Sequence, residues 1–186
     1  MIKKLFLLIF ILLITLGAAH AANETSTVLE TCESEEILSE TTDEVLTSTK
    51  KFSGTDFEDL RWEVNNLQSG DTLELQKDVT STIDNSLTIY TDNIIIDGRN
   101  HNIDFSNKEG PITITSDSVT LKNIYFINFK NNGKPLLHCT GKKLNLTNCN
   151  FKNNKITRHF LIDLSGDEAT LSNSNFENNI IELGDG

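Results

Sequence analysis

Leu144-Asn145-Leu146-Thr147-Asn148-Cys149-Asn150-Phe151-Lys152-Asn153-Asn154 decides the fold, because its pattern is written again one fixed step later and one fixed step earlier. The later copy is Ala169-Thr170-Leu171-Ser172-Asn173-Ser174-Asn175-Phe176-Glu177-Asn178-Asn179. The earlier one begins Val119-Thr120-Leu121-Lys122-Asn123-Ile124-Tyr125-Phe126. Working outward, Leu87, Ile112, Leu137 and Ile162 keep the same step, as do Ile89, Ile114, Cys139 and Leu164. Apolar residues at one fixed spacing mean that a unit is stacked on its own copies, sharing a core that no unit could bury alone. Within a unit the apolar residues alternate, as in Leu144 and Leu146 or Ile94 and Ile96. Period two over short runs reads as strand.

Turn residues divide the runs: Thr91-Asp92-Asn93, Ser116-Asp117-Ser118, Gly141-Lys142-Lys143 and Gly166-Asp167-Glu168. Each unit is expected to hold about three strands, near 87–90, 94–97 and 99–103 in the first copy. A helical solenoid also fits a step of about 25, being seven turns of about 3.6 residues. The abundance of Asn, Thr, Ser and Ile argues against it. A leucine-rich repeat places two residues between its last strand Leu and its Asn, whereas Leu146-Thr147-Asn148 has one. The expectation is an all-β parallel β-helix of about four rungs, each strand pairing with its equivalent one rung away. The column Asn123, Asn148 and Asn173 falls between the second and third strands, at a bend needing positive φ, with Gly98 at the same place in the first rung. These asparagines are read as structural.

The stretch Gly70-Asp71-Thr72-Leu73, then Ile94-Ile95-Ile96-Asp97-Gly98-Arg99-Asn100-His101-Asn102-Ile103, then the Leu-x-Asn-x-x-Phe-x-Asn-Asn blocks, resembles the adhesin-like right-handed β-helix proteins of methanogenic archaea. More distantly it is similar to the pectin-lyase-like superfamily. The resemblance covers roughly residues 52–181. It implies a right-handed coil and a secreted or cell-surface protein that binds a carbohydrate or a surface protein.

The ends differ from the middle. Residues 1–21 read as a signal peptide: Lys3 and Lys4, the apolar run Leu5–Leu16, and Ala19-His20-Ala21 as a cleavage site. No later stretch is apolar for long enough to span a membrane. Residues 22–51 read as an acidic, Ser/Thr-rich leader, disordered by composition. It carries most of the net charge of −11; residues 87–186 hold eleven acids against ten bases. No basic stripe exists for nucleic acid. Residues 52–186 are assigned to the β-helix, with rungs from about 72. Thr55-Asp56-Phe57-Glu58 followed by Leu60, Val64 and Leu67 predicts a capping helix over about 56–67. No such cap follows the last rung, so the open C-terminal rung is expected to self-associate or take a partner.

Candidate chemistry is sparse. His138 and Asp163 should stack on an outer face, and a His beside a carboxylate can exchange protons; a surface contact is the simpler reading. Asp97 and Lys122 should stack as an ion pair, and His101 should share the Phe126 column. Polysaccharide lyases and hydrolases need a carboxylate pair, or a Ca²⁺ site with a basic residue. The outward columns Thr88/Thr113/His138/Asp163, Tyr90/Thr115/Thr140/Ser165 and Ile95/Thr120/Asn145/Thr170 gather no three acids. The expectation is therefore a binding module with no catalytic residue, metal or cofactor; a polysaccharide-active enzyme, or a degenerate or truncated remnant of a longer surface protein, is the alternative. Cys139 and Cys149 should point into the third rung, as free thiols or as a bridge, and Cys32 lies in the leader. Asn23-Glu24-Thr25 and Asn145-Leu146-Thr147 are glycosylation sequons.

Overall fold

A computed structural model describes residues 47–183. The expected signal peptide, Asn23, Cys32 and all but the last residues of the leader lie outside that range. The described residues form a parallel β-solenoid of about five turns with one short helix. The longest ladder runs through β1 (Thr49–Phe52), β2 (Thr72–Leu75), the first half of β5 (Ile95–Asp104), the first half of β7 (Thr120–Ile127), β10 (Asn145–Thr147) and β14 (Thr170–Ser172). The second halves of β5 and β7 continue in the same sheet with β3 (Val79–Thr80), β11 (Asn150–Lys152) and β15 (Asn175–Glu177). A four-stranded sheet stacks β4 (Leu87–Ile89), β6 (Ile112–Ile114), β9 (Leu137–Cys139) and β13 (Ile162–Leu164). A three-stranded sheet stacks β8 (Lys130–Asn132), β12 (Lys155–Thr157) and β16 (Ile180–Glu182). This last ladder is a fourth strand position per rung that the three-strand expectation omits.

The register is the one the columns dictate. Leu146 pairs with Leu121 and Leu171, and Phe151 with Phe126 and Phe176. The three phenylalanine rings stack at 5.1 and 4.9 Å between centroids. Leu73, Leu75, Ile114, Leu146 and Phe151 are fully buried, and the void beneath Leu60 is about 10 Å³, so the coil is filled with side chains.

The stack is longer than four rungs because the step changes upstream. Thr49 pairs with Thr72, and Thr72 with Ile95, a shorter step than the one from Leu121 to Leu146. The rungs expected from about residue 72 take in the Thr72 layer; the layer at Thr49–Phe52 is the one they leave out. The boundary at residue 52 also moves: Thr49, Lys50 and Lys51 belong to β1, because their backbone pairs with Thr72, Leu73 and Glu74.

A shift at Asp97–His101 corrects two further expectations. Gly98, Arg99 and Asn100 together oppose Asn123. His101 therefore pairs with Ile124, and Ile103 takes the place above Phe126. His101 is half-exposed, with Nδ1 3.1 Å from Asp78 Oδ1. Positive φ in this wider bend falls on Arg99 (51°) and Asn100 (66°), and not on Gly98. Gly98 answers to space instead: a Cβ there would lie 2.4 Å from the Asn123 carbonyl oxygen.

The helix α1 (Phe57–Asn65) is the expected cap, slightly shorter at both ends. Asp56, and not Thr55, is the N-cap, its Oδ1 accepting from the Glu58 N–H at 2.8 Å. Phe57, Leu60 and Val64 are buried, and α1 packs on β4, the first strand of the four-stranded sheet. Phe57 meets Phe105 at 5.6 Å, and Phe105 meets Phe129 at 5.2 Å. No described helix is long and apolar enough to cross a membrane.

Candidate functional surfaces

Corners set where every outer side chain points. Columns of left-handed residues turn each rung: the three that follow, and a fourth of Gly133 and Arg158 with φ of 88° and 63°. Asn123, Asn148 and Asn173 have φ of 55°, 53° and 49°. Asn128, Asn153 and Asn178 have 56°, 57° and 54°. Asn93, Ser118, Lys143 and Glu168 have 57°, 58°, 57° and 58°. Asn is the residue other than Gly that tolerates this region best, which accounts for its frequency here. Asn148 Nδ2 donates to Asn123 Oδ1 at 3.1 Å, and Asn123 Nδ2 to Asp97 Oδ1 at 3.0 Å, so the first column is also a hydrogen-bonded ladder.

A second amide ladder, inside the coil, escaped the sequence reading. Asn154 is buried; its Oδ1 accepts from the Phe129 N–H and its Nδ2 donates to the Phe126 carbonyl and to Asn179 Oδ1. Asn179 Nδ2 donates to the Phe151 carbonyl at 2.8 Å. The signal was the doubled Asn-Asn of the repeat: the first residue turns the corner and the second is turned inward. Asn131 has no such bonds. It is 4% exposed and pairs with Ile156, and neither its Nδ2 nor its Oδ1 has a partner among the described residues.

The outer faces between corners are ladders of short polar side chains. On the four-stranded sheet, Thr88, Thr113, His138 and Asp163 stand in register, one per rung. His138 Nδ1 and Asp163 Oδ2 are 3.1 Å apart and about one-third exposed. Tyr90, just past β4, is 73% exposed. On the long sheet, Asn145 lies between Thr120 and Thr170; its Oδ1 accepts from Thr147 Oγ1 at 2.8 Å and Thr170 Oγ1 at 3.1 Å. Asp97 is buried and pairs with Lys122 at 3.4 Å. Burial pushes its carboxyl up, but the Asn123 amide, the Arg99 N–H and Lys122 outweigh that and hold it below the usual range.

Among the described residues, no grouping of three or more His, Cys, Asp or Glu is arranged to hold a metal. Cys139 and Cys149 are both buried and free. Burial pushes the Cys149 thiol up to about 11 and raises Cys139 as well, so neither is an activated nucleophile.

The two ends of the stack are built differently. At the N-terminal end the buried Asp71 accepts from Ser48 Oγ at 2.6 Å, the Gln68 N–H at 2.9 Å and Lys50 Nζ at 3.1 Å. Lys50 also donates to the Asn66 carbonyl at 3.0 Å, tying β1 to the end of α1. At the C-terminal end Leu171, Phe176 and Ile181 are 44%, 47% and 48% exposed, and with Phe160 they line a depression of about 530 Å³.

Comparison of the chain with protein-family models, with curated proteins and with solved structures found no match.

Proposed function

We propose that this chain is a non-catalytic, adhesin-like binding module, secreted or held at the cell surface, that takes a glycan or a protein on the sides of its solenoid. The observation that carries the reading is the in-register ladder Thr88–Thr113–His138–Asp163. Parallel pairing repeats one polar group about every 4.8 Å along a rigid face. Such a face offers many weak hydrogen bonds in a row, which suits a repeating ligand. The exposed Tyr90 ring beside it supplies a flat apolar surface with a polar tip. The signal-peptide pattern of residues 1–21 supports export, and the sequons at Asn23 and Asn145 are proposed as sites of N-glycosylation.

The alternative, an enzyme acting on polysaccharide or the remnant of one, has the His138–Asp163 contact in its favour. A lone pair of this kind, without an arranged second acid or base, is more simply a rung-to-rung contact. The test is a glycan-array and surface-protein binding assay on the mature chain, run with Tyr90→Ala and Thr113→Lys. Binding weakened at least tenfold by both, with no turnover of pectate, polygalacturonate or alginate, is the expected result. Turnover abolished by His138→Ala would replace this reading with the enzymatic one.

A further inference from the structure

We propose that the rung ending at Leu183, whose far edge is uncovered among the described residues, is a docking edge for a basic, strand-forming segment of a partner polypeptide, which adds to the solenoid as its next rung.

Charge is layered by rung. Residues 134–158 carry Lys134, Lys142, Lys143, Lys152, Lys155 and Arg158 and no acid. Residues 159–183 carry Asp163, Asp167, Glu168, Glu177 and Glu182 and no Lys or Arg. The two layers meet in Lys152–Glu177 at 3.0 Å, Lys155–Glu182 at 2.7 Å and His138–Asp163 at 3.1 Å. A basic rung therefore seats against the acidic one along shared columns; Asp167 and Glu168 are the acids of the last described rung that these contacts leave over.

The backbone of that face is set for a parallel strand. At each corner the left-handed residue donates its N–H to the rung below: Lys143 to the Asp167 carbonyl at 2.8 Å, Asn148 to Ser172 at 3.1 Å and Asn153 to Glu177 at 3.0 Å. Their equivalents in the last rung are Glu168, Asn173 and Asn178, whose N–H groups have no such acceptor among the described residues. An aspartate ladder points the same way. Asp92 accepts from the Asp117 N–H, and Asp117 from the Lys142 N–H, each at 2.8 Å and one rung on. Asp167 is the next aspartate in that column, after Lys142. Leu171, Phe176 and Ile181 supply the apolar part. An exposed strand edge with an apolar layer beside it is a template for strand addition.

A second copy of the chain fits this edge less well. Its own last rung brings the same five acids, and its other end is closed by α1 and by the Lys50–Asp71 contact. The segment 22–49 is also acidic, with eight acids and no base. Like charges directly opposite one another destabilise strand pairing.

The experiment appends a copy of residues 162–183 directly after Gly186. Gly184, Asp185 and Gly186 then stand one full step after 159–161, so the spacing of the columns is kept. One version keeps the acids in the appended copy; the other replaces all five, the copies of Asp163, Asp167, Glu168, Glu177 and Glu182, by Lys. Covalent attachment supplies the segment at high effective concentration. The basic copy is expected to resist chymotrypsin at least tenfold longer than the acidic one and to slow exchange of the Asn173 and Asn178 N–H groups at least a hundredfold. Equal protection by both copies, or by neither, overturns the proposal. So does a salt-insensitive dimer of the unextended chain in sedimentation velocity, which would make a second copy the occupant. None of these outcomes bears on ligand binding to the side faces, which is read on the unextended chain.

Discussion

The first and last layers of this solenoid are made from the same kind of strand and end in opposite ways. At the N-terminal end the apolar columns are closed off: α1 lies on β4 with Phe57, Leu60 and Val64 inward, and Asp71 gathers Ser48, Gln68 and Lys50 beside it. In the last described rung Leu171, Phe176 and Ile181 are about half exposed, with no layer beyond them among the described residues. A rung is therefore stable in proportion to its neighbours on both sides, not to its own sequence. Among the described residues, then, the N-terminal end buries its apolar columns and the C-terminal end leaves its last layer partly exposed.

The largest expected effect tests one column at two depths. Leu146 is fully buried and Leu171 is 44% exposed, though they pair directly. Leu146→Asp places an unpaired charge in the core and should abolish folding, a loss above about 4 kcal/mol. Leu171→Asp should cost no more than about 1 kcal/mol. Chemical denaturation of the two variants decides it; similar losses would mean that the last rung is covered after all.

Next in size is the cap. Phe57→Ala removes a buried ring from the Phe57–Phe105–Phe129 cluster and should cost about 3–4 kcal/mol. Phe176→Ala removes a half-exposed ring from the far end of the other stack and should cost about 1 kcal/mol. Thermal melts of the pair would order them.

Asp71→Asn should cost about 2 kcal/mol, since a buried carboxylate loses charge-assisted hydrogen bonds. Burial pushes the Asp71 carboxyl up, and Ser48, the Gln68 N–H and Lys50 outweigh it, bringing it to about 2. A carboxyl held below its ordinary 3.8 stabilises the fold above that pH and loses the contribution as pH falls toward about 2. The wild-type chain should therefore lose more stability than Asp71→Asn between about pH 4 and pH 2 in urea titrations at fixed pH. Parallel pH profiles would remove Asp71 from the account of the closed end.

The smallest effect is a gain. Asn131 opens the three-stranded sheet with a buried amide that has no partner among the described residues, over a column that continues as Ile156 and Ile181. Asn131→Ile should stabilise the chain by about 1–2 kcal/mol. A loss would show that the added methyl groups overfill the site.

What could be read from the chain alone follows from this layering. The columns through Leu121, Leu146 and Leu171 were visible because the step holds constant wherever each corner uses one left-handed residue. It fails where the bend widens to Gly98, Arg99 and Asn100, which misplaces His101, and it is shorter before β5, which hides the layer at Thr49–Phe52. The ladder β8–β12–β16 was hidden by chemistry: Lys130-Asn131-Asn132 carries no apolar residue to mark the inward position that Ile156 and Ile181 mark below it. The outer ladders followed from alternation, so His138 and Asp163 were paired correctly. A binding face made of Thr and Asn leaves no motif, because those residues also serve corners and turns.

Amide hydrogen exchange at the corners tests the contrast between the ends most directly. Asn148 and Asn153 donate their N–H groups to Ser172 and Glu177 in the rung below, while Asn173 and Asn178 occupy the same corners with no rung below among the described residues. The account predicts that, in dilute monomeric protein, Asn173 and Asn178 exchange near the rate of an unfolded chain while Asn148 and Asn153 are protected by at least a thousandfold, about 4 kcal/mol. Equal protection of all four would contradict it, and would mean that the C-terminal rung is as closed as the N-terminal one.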